Sequence, residues 1–146
     1  MAKMEREVIE NLIQDSLEAR KNSYCPYSGY AVGAALLAYD NDNNRIVYKG
    51  CNIENASYGA TNCAERTAVF KAVSEGVTRF EAIAITGGPK GEEPRDYAFP
   101  CGVCRQVMAE FCGKDFTVIV ALSKDVYKVY KFSELLPEAF GAANME

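Results

Sequence analysis

Residues 62–86 read Asn-Cys-Ala-Glu-Arg-Thr-Ala-Val-Phe-Lys-Ala-Val-Ser-Glu-Gly-Val-Thr-Arg-Phe-Glu-Ala-Ile-Ala-Ile-Thr. The first half predicts a helix over Cys63–Glu75 that Gly76 stops, and the second a strand over Glu81–Thr86, rich in Ala and Ile and suited to burial on both faces. Upstream, Ala31–Tyr39 and Arg45–Cys51 are strand-like runs joined by the polar turn Asp40–Asn44, and so form a hairpin. A loop, Asn52–Thr61, leads from that hairpin to the helix. Downstream, Gly87–Phe99 holds three glycines and two prolines and is predicted to be an irregular surface loop. A helix over Cys101–Phe111 with its stop at Gly113 follows, then strands over Phe116–Leu122 and Val126–Phe132 and a short helical tail. At the other end, Val8, Ile9, Leu12, Ile13 and Leu17 fall on one face of a helix over Arg6–Arg20, and the turn-rich Ser23–Tyr30 ends it. Strand–helix–strand–helix–strand order predicts a layered α/β domain whose sheet is partly parallel. No linker or repeat divides residues 1–146, so a single domain is expected.

The composition narrows the function. A net charge of −4 with no basic block lacks the footprint of a nucleic-acid binder. The first 20 residues interleave charges with apolar side chains, unlike a signal peptide, and no stretch approaches membrane-spanning length. The expected location is the cytoplasm. There thiols stay reduced, so the six cysteines are read as free rather than as three disulfides. Cys25, Cys51 and Cys112 have no partner at ligand spacing and are read as buried small hydrophobes.

The remaining cysteines carry chemistry. Cys63-Ala64-Glu65 and Pro100-Cys101-Gly102-Val103-Cys104 supply three soft ligands and a carboxylate beside the first of them. A catalytic zinc site needs three protein ligands, an open fourth position for water, and a group to move protons. The chain has no histidine, so zinc must rest on thiolates and the proton carrier must be a carboxylate. Both halves fall at predicted helix starts, where unpaired N–H groups stabilise thiolates. Pro100 suits the first helical position because its missing N–H would have been unpaired there. Three thiolates on a dication leave a site of −1, so positive charge must be found nearby, and Arg66 and Arg105 each follow a ligand segment. Glu65 also has a plain structural reading: Asn62 with Glu65 three residues on forms a capping box. A C-x-x-C pair alone also serves redox proteins and structural zinc. A redox site, however, has no use for Cys63-Ala64-Glu65, and a closed structural site has no fourth ligand here.

Cys-Ala-Glu followed by Pro-Cys-x-x-Cys is the pattern of the zinc-dependent nucleoside and nucleobase deaminases. With Pro26-Tyr27-Ser28, Val32-Gly33-Ala34-Ala35-Leu36, Gly50-Cys51-Asn52-Ile53-Glu54-Asn55-Ala56, Arg66-Thr67-Ala68, Arg105-Gln106 and Leu135-Leu136-Pro137, the chain resembles the small homotetrameric cytidine deaminases from about Leu12 to Phe140. That resemblance implies a three-layer α/β/α fold around a five-stranded mixed sheet, and hydrolytic deamination of cytidine and deoxycytidine in pyrimidine salvage. It implies that Cys63, Cys101 and Cys104 bind Zn2+, that Glu65 is catalytic, and that Arg66 and Gln106 compensate charge. It places Asn52, Ile53 and Glu54 on the substrate, with Asn52 and Glu54 on the ribose 3′-hydroxyl. Tyr30 stands where the family usually carries Phe against the base. Ala56, Tyr58 and Phe140 match positions that complete a neighbouring subunit's site in a homotetramer. Phe99 replaces the usual Ser before Pro100, and the 87–99 loop is longer and more charged than usual. Two readings stay open beside it: a deaminase of a modified, antibiotic-type aminonucleoside, and a non-catalytic zinc-stabilised module.

Overall fold

A computed structural model describes residues 4–145. Its elements are α1 (Arg6–Ala19), β1 (Tyr30–Tyr39), β2 (Arg45–Cys51), α2 (Ala64–Ser74), β3 (Arg79–Pro89), α3 (Gly102–Phe111), β4 (Thr117–Ser123), β5 (Val126–Lys131) and the single-turn α4 (Phe132–Leu135), with short 3-10 turns at Arg20–Asn22, Tyr58–Ala60 and Ala142–Met145. The five strands form one mixed sheet in the order β2-β1-β3-β4-β5.

Direction within that sheet assembles the site. β1 is antiparallel to both neighbours, with Gly33 opposite Cys51 and Tyr30 opposite Pro89. β2 and β3 therefore point the same way. A loop and then a helix follow each of them, so α2 and α3 both begin at the rim where β2 and β3 end and β1 starts. Ligands of open α/β sheets gather at such carboxyl-end rims. The β3–α3–β4 unit is the parallel crossover, with Ala82 opposite Thr117 and Ile85 opposite Val120.

The sheet is covered on both faces, giving three layers. Ile9, Leu12 and Ile13 of α1 pack on Ala35, Leu37, Ala82, Ala84 and Ile119. On the other face Ala64, Ala68, Val69 and Ala72 of α2 and Met108 of α3 pack on Leu36, Ile83, Ile85 and Val118. The buried face of α2 is nearly all alanine because the helix lies close against β2. A Cβ added at Gly50 would come within 2.5 Å of the Ala68 amide nitrogen and 2.6 Å of the Ala64 carbonyl.

Four expectations are corrected. β3 continues through Gly87-Gly88-Pro89, which pair with Val32, Ala31 and Tyr30, so the irregular loop starts at Lys90. These glycines read as breakers, yet they serve close approach: a Cβ on Gly87 would meet Ala98 and the Tyr30 ring within 3.0 Å. α3 begins at Gly102 with Cys101 as its cap, which puts Pro100 just outside the helix rather than in its first turn. Only Cys25 of the three unpaired cysteines is buried; Cys51 and Cys112 are half-buried, and all six thiols are free. Finally, Asn62 and Glu65 form no capping box. Cys63 occupies the cap position of α2, and the Asn62 amide donates to Thr67 Oγ1 at 3.0 Å.

Candidate active site

Because each helix is capped by a cysteine, the shared rim brings sulfur atoms together. Cys63 Sγ lies 3.7 Å from Cys101 Sγ, and Cys101 Sγ lies 3.5 Å from Cys104 Sγ. All three sulfurs fall within 4.8 Å of one another. Zinc–sulfur bonds of about 2.3 Å at tetrahedral angles would hold sulfurs about 3.8 Å apart. The two Cys101 distances match that spacing to a few tenths of an ångström, and three soft donors suit zinc.

Charge at the cluster points the same way. The Cys63 thiol is pulled well below its ordinary range, first by a hydrogen bond with Cys104 and then by the Arg66 guanidinium. Cys104 is pushed up, by its bond with Cys63 and by burial. Thiols this crowded resist ionising together unless a cation joins them. Arg66 Nη2 lies 3.3 Å from Cys63 Sγ and 3.4 Å from the Thr61 carbonyl, the position expected for a compensating cation.

Arg105 and Gln106 do other work. Arg105 donates to the Pro100 carbonyl at 2.7 Å and the Leu135 carbonyl at 2.5 Å, fastening the approach to α3 onto α4. Gln106 Nε2 donates to the Phe140 carbonyl at 2.9 Å. Among the described residues neither side chain is bonded to a thiol sulfur.

Glu65, on the first turn of α2, is 3 % exposed. Burial pushes its carboxyl up to about 7, against a hydrogen bond from its own backbone N–H. A carboxyl with such a value exchanges protons readily at neutral pH. It lines a cavity of about 430 Å3 together with Tyr30, Val32, Asn52, Glu54, Thr61, Cys63, Ile85, Ala98, Phe99 and Cys101. Six residues singled out in the sequence thus meet in one pocket: Tyr30, Asn52, Glu54, Cys63, Glu65 and Cys101.

Two polar side chains of the lining, Asn52 and Glu54, are tightly held. Asn52, 8 % exposed, accepts at Oδ1 from the Val32 N–H at 2.9 Å and from the Ser23 hydroxyl, and donates through Nδ2 to the Tyr30 carbonyl at 2.9 Å. Glu54 Oε1 accepts from the N–H groups of Tyr27 at 2.9 Å and Ser28 at 3.1 Å, and Oε2 from the Ser28 hydroxyl. These bonds hold the Glu54 carboxyl below the usual carboxylate range, the Ser28 hydroxyl foremost.

Ile53, Ala56, Tyr58 and Phe140 lie outside this pocket. Tyr58 is 76 % exposed and Phe140 58 % exposed, and the Tyr58 ring meets Tyr27 edge-on at 6.0 Å. Sequence reading missed Val32, Thr61, Ile85 and Ala98 as pocket walls. Val32 was within reach, since it shares a strand face with Tyr30 two residues away. Thr61 and Ala98 sit in loops whose course no periodicity marks.

Comparison with known proteins places this geometry. Residues 6–120 match the family model described as the cytidine and deoxycytidylate deaminase zinc-binding region. The chain belongs to the cytidine and deoxycytidylate deaminase family. A cytidine deaminase of Sporosarcina psychrophila is 46% identical over 137 residues, 94% of each chain. One of Halalkalibacterium halodurans is 50% identical over 135 residues, 92% of this chain and 95% of that one. Among solved structures, a cytidine deaminase from Burkholderia pseudomallei superposes with a TM-score of 0.76 at 43% identity, covering 89% of this chain and 97% of that one. The three-layer fold is therefore a cytidine deaminase fold, and the family's zinc-binding region spans all three cysteines. Among the described residues no helix is long and apolar enough to cross a membrane.

Proposed function

We propose that this chain, as one domain over residues 1–146, deaminates cytidine and deoxycytidine by hydrolysis, releasing ammonia. One observation carries the reading: two sulfurs of the three-cysteine cluster, those of Cys63 and Cys101, line one pocket with the buried Glu65 carboxyl. Cys63, Cys101 and Cys104 would hold zinc, which when bound acts as a Lewis acid and brings the pKa of water towards ~7. Arg66 offsets the negative charge of the thiolates, which otherwise make such a zinc a weak acid.

Glu65 moves the protons. Hydrolysis puts a water oxygen on the ring carbon that bears the amino group. The ring nitrogen next to that carbon must gain a proton as the carbon becomes tetrahedral, and the amino group must gain one to leave. A carboxyl titrating near neutrality can take a proton from water and deliver it to each nitrogen in turn. Tyr30, Val32, Ile85 and Phe99 provide apolar walls for a pyrimidine. Asn52 and Glu54 face the sugar: the Asn52 amide has one N–H left to donate, and Glu54 retains one lone pair, on Oε2, to accept a hydroxyl. A carboxylate there disfavours a phosphorylated sugar.

Exposed aromatic rings at Tyr27, Tyr58 and Phe140 support assembly as a homotetramer in which Ala56, Tyr58 and Phe140 complete a neighbouring site. Six free thiols suit the cytoplasm.

The test is direct. Purified protein is expected to hold one zinc per chain by elemental analysis and to convert cytidine to uridine. Glu65→Gln is expected to retain the metal and to lose turnover by at least about 100-fold. Unimpaired turnover in that variant would refute the assignment of the proton carrier.

A further inference from the structure

Glu54 can read a sugar hydroxyl only if its carboxylate is fixed, and the chain fixes it with one short turn. Both of its oxygens are engaged by residues 27–28, through two backbone N–H groups and the Ser28 hydroxyl. That hydroxyl also accepts from the Tyr30 N–H at 3.0 Å. Since a hydroxyl has one proton, accepting from Tyr30 leaves that proton for Glu54. The direction of the bond is thereby set, and Glu54 is presented to the pocket purely as an acceptor. The same turn positions the first residue of β1, whose side chain lines the base end of the cavity.

We propose that Ser28 is a positioning residue for sugar recognition: its hydroxyl locks the Glu54 carboxylate as an acceptor for the nucleoside's 3′-hydroxyl and couples that carboxylate to the strand that starts at Tyr30. The proposal rests on the sugar-facing role given to Glu54 above. It makes Ser28 responsible for discriminating cytidine from a nucleoside that lacks the 3′-hydroxyl, without contact to the reacting atoms. Removing the hydroxyl leaves the two N–H donors on Oε1 but frees Oε2 to turn. The Tyr30 N–H lies at the surface, where water can replace the lost acceptor.

The experiment compares cytidine with 3′-deoxycytidine as substrates for the zinc-loaded wild type and for Ser28→Ala, Ser28→Thr, Glu54→Ala and the double variant. Ser28→Ala is expected to raise KM for cytidine about tenfold, the scale of one hydrogen bond to a charged group. It should keep kcat within about twofold and leave KM for 3′-deoxycytidine unchanged, because only interactions with the missing group are lost. Ser28→Thr restores the hydroxyl and should restore the discrimination. The double variant should be no worse than Glu54→Ala. An equal rise in KM for both substrates would make Ser28 merely structural and overturn the proposal, as would an unchanged KM for cytidine while Glu54→Ala abolishes discrimination. Should Glu54→Ala itself leave discrimination intact, the sugar-facing role of Glu54 falls, and the positioning role with it.

Discussion

Gly50→Ala adds one methyl group on the strand beneath α2, at a residue that does not line the pocket. The new Cβ would lie 2.5 Å from the Ala68 amide nitrogen and 2.6 Å from the Ala64 carbonyl, both backbone atoms that cannot swing aside. To regain ordinary contact the first turns of α2 must withdraw by about 0.9 Å. Cys63 caps that helix and Glu65 lies in its first turn, so both move with it, whereas Cys101 and Cys104 belong to α3 and stay. A displacement of that size far exceeds the roughly 0.2 Å tolerance of a metal–ligand distance. Overpacking should cost about 1–3 kcal/mol, or roughly 3–10 °C in Tm. A shift near 1 Å at a catalytic group should lower kcat/KM about 100-fold. Calorimetry, zinc analysis and steady-state kinetics measure these together. Ile13→Val, in the core under α1, serves as the control: it should cost about 0.5–1.5 kcal/mol and leave zinc content and kcat unchanged. A Gly50→Ala protein with full zinc and kcat/KM within twofold of wild type would refute the claim that this glycine sets the seat of the ligand helix.

Two further outcomes follow from the cluster and its surroundings. Arg66→Gln removes the one guanidinium against Cys63 Sγ; it should retain zinc but lower kcat about tenfold, and an unchanged kcat would show that the charge of Arg66 is dispensable. Cys112, whose thiol burial pushes up to about 12, stays protonated far above the ordinary thiol range. At pH 8 roughly one molecule in 10,000 carries its thiolate, so iodoacetamide should leave Cys112 unlabelled in the native protein and label it after denaturation, as read by peptide mass. Rapid native labelling would contradict so high a thiol value.

Much of the site was legible because it is built from helix starts, and helix starts leave local marks. Cys63 stands before an alanine-rich run that ends at Gly76, and Cys101 before a run that ends at Gly113; both proved to be cap residues. The sheet interior was legible for the same reason, since Ala82–Thr86 has no polar side chain that could face water except at its end. What stayed hidden depends on partners far away in sequence. Gly87 and Gly88 extend β3 because Tyr30 and Arg20 lean over them, a fact no reading of Gly-Gly-Pro reveals. The roles of the Arg105 and Gln106 side chains were set largely by carbonyls at Leu135 and Phe140, which arrive only when the C-terminal segment folds back. Ser28 looked like a turn residue, and only the approach of Glu54 gave its hydroxyl a task.

The common heading of β2 and β3 has a consequence for how this protein can vary. Cys101 owes its place to the end of β3, the cap of α3 and the guanidinium of Arg105, rather than to the contour of residues 90–99. That stretch is fastened separately, with Lys90 donating to the Lys21 and Ser23 carbonyls and Arg20 to the Glu92 carbonyl at 3.0 Å. Changes of length between Arg95 and Tyr97 are expected to spare these bonds and the separation of the sulfurs, so long as Phe99 still reaches the pocket wall. Arg95–Tyr97 is thus a place where new contacts can be tried without disturbing the ligand helices.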